Sequence, residues 1–320
     1  MTPRPCVVQP RGTDKGWSRF KSALALSLAS LCLPASAATY TFVVAGLGGE
    51  PAYEQKFREN AAAVAIAAEK AAGSTANVIA LTGDAAKADA VKRELKNLAS
   101  RMNANDTAVV VLIGHGTYDG DAYRFNLPGP DLTDRDLARL FDELPARDQL
   151  IINATSASGP TVERWQKQRR VVITATKSGG ERTATRFAQY WAQAVASAAA
   201  DTNKDQIVTA AEAYAYATRE VEAAYKADAS MATEHARLEG ENADRFTLAR
   251  LGDAALTPDN PEVAALLSQR GAIEQDLYRV KERKAELADT QYYDELEHVL
   301  VRLALLQKQI DSKQSGGGTP

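Results

Sequence analysis

Residues 107–113, Thr-Ala-Val-Val-Val-Leu-Ile, constrain the fold of this chain more than any other stretch. The run shows no polar alternation. Such a strand suits burial on both faces, as in a parallel sheet covered by helices. The neighbouring segments supply the rest of that arrangement. Residues 40–46, 77–81, 149–154 and 170–176 read as further strands, and 52–72, 86–102, 133–144, 183–199 and 210–227 carry helical period. Strand and helix in alternation predict βαβ units, hence a three-layer α/β/α sandwich with a mainly parallel sheet over residues 38–228. In such folds reactive groups collect at the carboxyl ends of the strands.

Beyond this region the pattern changes twice. Residues 229–258 are polar and irregular and read as a linker. From 259 to 313 apolar residues return at three-four spacing: Val263, Leu266, Ile273, Leu277, Val280 and Leu287, then Tyr292, Leu296, Val299, Leu303, Leu306 and Ile310. Arg270 and Lys284 interrupt the series. This predicts an α-helical hairpin with coiled-coil spacing, suited to docking or oligomerisation through residues 260–312. Residues 314–320 read as a flexible tail.

The first 37 residues have the form of a secretory signal peptide. Arg11, Lys15, Arg19 and Lys21 form a basic region, residues 23–33 are apolar, and Ala35-Ser36-Ala37 offers the small residues that signal peptidase accepts. The apolar run is too short for a permanent span, and no later run has membrane length. The expectation is an exported protein, periplasmic or secreted. Both cysteines, Cys6 and Cys32, fall inside the leader. Cleavage after Ala37 therefore leaves a chain with no thiol and no disulfide. The formal net charge of the whole chain is −3, with no Lys/Arg-dense stretch, so nucleic acid is not expected as a partner.

Two predicted strand ends carry groups with chemical potential. The 107–113 strand runs into Gly114-His115-Gly116, and the 149–154 strand into Asn153-Ala154-Thr155-Ser156-Ala157-Ser158-Gly159. A histidine beside a hydroxyl-rich turn can pair a base with a nucleophile. Taken singly, each is also an ordinary turn. Together, in this order, they resemble the caspase–legumain clan of cysteine peptidases, in which an apolar strand ending in His-Gly precedes one ending in Ala-Cys-x-Ser-Gly. The resemblance covers residues 39–225. It implies a caspase-like fold, most similar to bacterial legumain-like proteins, with His115 as base and the Gly116 N–H as an oxyanion donor. Residues 170–176 resemble the strand that follows in those relatives, and Gly180-Glu181 lies where their specificity pocket begins. Counting back from Ser158-Gly159 puts Ser156 at the cysteine position, whereas counting forward from Ala154 puts Thr155 there. A serine hydroxyl needs an aligned base, an orienting partner and an oxyanion hole, and no carboxylate is evidently placed to orient His115. The resemblance thus implies a catalytically inactive or impaired peptidase homologue that binds a peptide or an envelope protein. The alternatives are a serine-type hydrolase using Ser156 or Thr155 with His115, and a scaffold acting through its helical hairpin.

A second motif lies in residues 201–212. Asp201, Asn203, Asp205, Thr209 and Glu212, with the Ile207 carbonyl, follow the spacing of an EF-hand calcium loop. Gln206 replaces the glycine usual at the sixth position, which points to weak binding. The same residues also admit a plainer reading, in which Thr209 and Glu212 form a capping box that starts the next helix.

Overall fold

The computed structural model describes residues 37–251 and 261–315. The expected leader (apart from Ala37), the end of the expected linker (252–258) and the tail from 316 onward lie outside the described residues. Chain order begins β1 (Thr39–Ala45), α1 (Pro51–Ala72), β2 (Val78–Leu81), α2 (Ala88–Ala99) and β3 (Thr107–Gly114). A small meander follows, β4 (Gly116–Tyr118), β5 (Tyr123–Phe125) and β6 (Leu132–Thr133), leading into α3 (Asp134–Asp142). Then come β7 (Asp148–Thr155), α4 (Thr161–Trp165), β8 (Arg170–Thr174), α5 (Phe187–Ala194), β9 (Ile207–Thr209) and α6 (Ala210–Ala227). The last elements are β10 (Arg237–Glu239), β11 (Thr247–Arg250), α7 (Pro261–Glu282) and α8 (Asp289–Ser315).

The main sheet has the order β10-β8-β7-β3-β1-β2, parallel throughout except for β10, which runs antiparallel to β8. Residue parity divides the core. Val43, Val109, Val111, Leu150, Ile152 and Ile173 point to one face and pack with α1, α5 and α6. Phe42, Val44, Val110, Leu112, Ile151 and Val172 point to the other and pack with α2, α3 and α4. All eight residues of β3 are buried, as a strand without polar alternation requires. The architecture is the expected α/β/α sandwich followed by a helical hairpin. All twelve residues of the predicted seam meet in one apolar cluster between α7 and α8. The interrupting Arg270 reaches across the hairpin, donating through Nη1 to Gln307 Oε1 at 2.9 Å. Among the described residues, no helix is long and apolar enough to cross a membrane.

The segment 229–258 differs from the linker expected of it. Its residues 237–239 form β10 on the edge of the main sheet, and 247–250 form β11, paired antiparallel with β9. Both strands are short, three residues in β10 and four in β11, and neither is long enough to show an alternation. An edge strand needs only one covered side chain per turn of the pleat, here Leu238, so it leaves no apolar run to read.

Candidate functional site

The strand ends singled out in the sequence do come together. The β3–β7 register sets Gly114 opposite Thr155, so His115 and Ser156 follow directly from neighbouring strands. Both glycines around His115 have steric reasons. Gly114 has φ +146°, and a Cβ on Gly116 would lie 2.5 Å from the Ser156 carbonyl oxygen and from the Tyr123 ring. The backbone can make this sharp passage from β3 into β4 only without side chains at those two positions.

The His115 ring packs edge-on against Tyr53 and Phe57 of α1, with centroids 5.1 Å from each and interplanar angles of 77° and 74°. Its nitrogens make no hydrogen bond with any described residue. Neither candidate hydroxyl is held by it. Ser156, 2% exposed, accepts from the Gly116 N–H at 3.1 Å and donates to the Gly116 carbonyl at 3.2 Å. Thr155 is wholly buried, and its hydroxyl meets Tyr123 Oη at 2.6 Å and Asn153 Oδ1 at 2.8 Å. Tyr123 belongs to the α2/α3/α4 face, whereas Tyr53 and Phe57 belong to the α1 face. Thr155 and the His115 ring therefore serve opposite sides of the sheet. Burial pushes the Tyr123 phenol above its ordinary range, which keeps it a neutral hydrogen-bonding partner for Thr155.

The remainder of the turn is occupied by structural bonds. Ala157 has φ +53°, unusual for a residue with a Cβ, and its N–H donates to the Glu181 carbonyl at 2.8 Å. Ser158 Oγ lies 3.1 Å from Thr176 Oγ1 and accepts from the Thr176 N–H, while the Gly159 N–H donates to Thr176 Oγ1 at 3.0 Å. These bonds fasten the end of β7 to the stretch just after β8.

Two residues outside the motifs, Glu234 and His235, stand beside this turn. His235 Nδ1 lies 2.6 Å from Glu181 Oε1, and the His235 N–H donates to Glu181 Oε2 at 3.2 Å. Here a histidine has the carboxylate partner that His115 lacks. Next to it, the buried Glu234 carboxylate accepts from the Arg186 and Phe187 N–H groups at 2.7 and 3.1 Å. It caps the start of α5 from 47 residues away in sequence, and burial raises its pKa. The only available signal was the pair of polar residues Glu234-His235 in a stretch that otherwise reads as linker.

The loop 201–212 is closed on itself. Asp201 accepts from the Asp205 and Gln206 N–H groups, and Lys204 Nζ reaches the Asp201 carbonyl at 2.7 Å. Asn203 Oδ1 accepts from the Asp205 N–H, and Asp205 Oδ1 from the Ile207 N–H. Glu212 spends one oxygen on Thr202 and the other on Thr209. The capping box between Thr209 and Glu212 is formed in full. Gln206 takes the left-handed conformation at φ +66° that a glycine adopts more readily. Among the described residues no group of three or more His, Cys, Asp or Glu could hold a metal ion.

No protein-family model matches the chain, and no curated protein matches it in sequence. Among solved structures, protein GSU0716 from Geobacter sulfurreducens superposes with a TM-score of 0.43 at 11% identity, covering 67% of this chain and all of that one. The structure of drICE superposes with a TM-score of 0.41 at 8% identity, covering 64% of this chain and 87% of that one.

Proposed function

We propose that this chain is an exported homologue of caspase–legumain peptidases that has lost catalysis and serves as a binding protein for a peptide or an envelope protein. The sequence motifs support the ancestry, as does the juxtaposition of His115 and the Thr155-Ser156 turn at neighbouring strand ends. One observation carries the loss of catalysis: the Ser156 hydroxyl binds both the N–H and the carbonyl of Gly116. The N–H that would stabilise an oxyanion is thereby taken by the hydroxyl that would attack. His115, held against two aromatic rings, is no base for it in this arrangement.

Export fits the start of the domain. Cleavage after Ala37 places the new terminal ammonium at Ala38 N, which lies 2.9 Å from the buried Asp106 carboxylate. Amino-terminal sequencing of the exported protein is expected to begin at Ala38. The partner-binding role draws support from α8, where Tyr293, Leu300, Val301 and Leu305 are large apolar side chains left exposed, surface suited to contact with a protein.

A fluorophosphonate probe tests the catalytic part. The expected result is no labelling of the wild type. Labelling that disappears in both Ser156→Ala and His115→Ala would instead establish a serine hydrolase. Peptidase activity gained by Ser156→Cys would show that His115 can still reach the strand end.

A further inference from the structure

At the rim of the sheet opposite these strand ends, a cavity of about 230 Å³ lies between α1, α5, β11 and α7. Its apolar wall includes Val64, Trp191, Val195 and Leu248. Its polar wall includes Thr41, Thr107, Arg250 and the Glu274 carboxylate that pairs with Arg250. The hydroxyls of Thr41 and Thr107, both on buried residues, have no hydrogen-bond partner among the described residues. The Arg250 side chain is 7% exposed and donates through Nη2 to Glu274 Oε2 at 2.8 Å, whereas its Nη1 is buried with no partner. Burial and the Arg250 charge together lower the pKa of the neighbouring Arg270, which shares Glu274. A buried guanidinium left half-satisfied is costly, and an anion that draws Nη1 toward the cavity would recover part of that cost. An engineered apolar cavity of about 150 Å³ holds benzene, so this one has room for about nine carbon-sized atoms by proportion.

We infer that this cavity binds a small amphipathic carboxylate. Its apolar body lies against Trp191, Val64 and Val195, and its carboxylate is held by Arg250 with the hydroxyls of Thr41 and Thr107. The site is separate from the Ser156 turn and does not depend on the peptidase-homologue reading.

Octanoate, with octanol as the uncharged control, is the probe. Binding to the full chain is read from the indole N–H resonance of Trp191, with Trp165, buried against α3, as the internal reference. Octanoate is expected to shift Trp191 saturably and leave Trp165 in place, and octanol to bind at least about tenfold more weakly, as loss of a charge-assisted hydrogen bond predicts. Arg250→Gln is expected to erase the difference between the two probes. Ala68→Phe puts six further carbons into the cavity from the α1 wall and is expected to abolish octanoate binding while the protein stays folded; it decides the matter if Arg250→Gln does not fold. Equal binding of octanol and octanoate, or octanoate binding that survives Ala68→Phe at full strength, would overturn the assignment.

Discussion

Ser156→Ala separates a structural hydroxyl from a catalytic one, because the two roles predict opposite effects on stability. In the structure Ser156 Oγ makes two hydrogen bonds to Gly116, at 3.1 and 3.2 Å, from a residue that is 2% exposed. A net contribution of about 1 kcal/mol per bond gives a loss of about 2 kcal/mol, and orphaning the buried Gly116 N–H pushes the figure toward 3. For a domain of this size about 2 kcal/mol corresponds to a fall in Tm of roughly 4–8 °C. The alanine itself adds little, since it removes one oxygen and leaves no cavity of consequence. Urea titration of the two proteins followed by circular dichroism reads the difference, with an unchanged m-value showing that the same fold is being lost. A hydroxyl kept for chemistry behaves otherwise, because sites held for activity tend to gain stability when their reactive group is removed. A Ser156→Ala protein as stable as the wild type, or more stable, would refute the clamp.

Three further outcomes follow from other contacts. Glu234→Ala removes the carboxylate that accepts from the Arg186 and Phe187 N–H groups and is expected to cost about 2–4 kcal/mol in urea melts, as a cap with two charge-assisted bonds should. Because burial raises the Glu234 pKa above its unfolded value, the folded state holds this proton more tightly; stability should decline as pH rises through the raised value, and Glu234→Gln should flatten that slope. Thr209→Ala opens the capping box on α6 and should lower stability by about 1 kcal/mol equally with and without calcium; a calcium-dependent rise in Tm that vanishes in Glu212→Gln would instead assign the loop to the cation. Leu305→Glu, at a position 59% exposed on α8, should leave Tm unchanged within about 0.5 kcal/mol while reducing oligomer size or partner capture if these exposed side chains form a docking surface; light scattering and pull-down from an envelope extract check this.

The parts of the fold that show in the sequence are those whose periodicity is set by burial on a regular element. The parallel strands show as apolar runs because both faces are covered, and the hairpin seam shows because each buried position returns after three or four residues. The edge strands β10 and β11 do not show. Their backbone bonds go to partners at distant positions, β8 and β9; the side chains of β10 are only half-buried, and β11 is too short for its buried Leu248, Ala249 and Arg250 to make a readable pattern. The site divides in the same way. That His115 and Ser156 would end neighbouring strands follows from the order of elements. That Ser156 would hold Gly116, and Thr155 would hold Tyr123, does not, because Tyr123 arrives from a meander inserted after β3 and Gly116 is drawn close by its pairing with Phe125. Glu181 and His235 meet across 54 residues with no periodic signal to announce it.

Under the ancestry proposed above, the exchange of a thiol for a hydroxyl at this turn has two consequences from one atom. A thiol is a weak donor and a weak acceptor, so beside Gly116 it would leave the N–H and carbonyl of that residue free to donate or accept elsewhere. A hydroxyl is a good donor and a good acceptor at once. Set 3.1 Å from the Gly116 N–H and 3.2 Å from its carbonyl, it satisfies both. The same substitution that raises the nucleophile's pKa far beyond a thiol's also spends the N–H on which an oxyanion would depend. Restoring activity therefore requires more than a base in reach. Ser156→Cys changes both properties together, freeing the Gly116 N–H and carbonyl as it supplies the better nucleophile. His115→Ala in that background should abolish any activity gained, whereas Thr155→Val should leave it, because the Thr155 hydroxyl is turned to Tyr123 on the opposite face of the sheet.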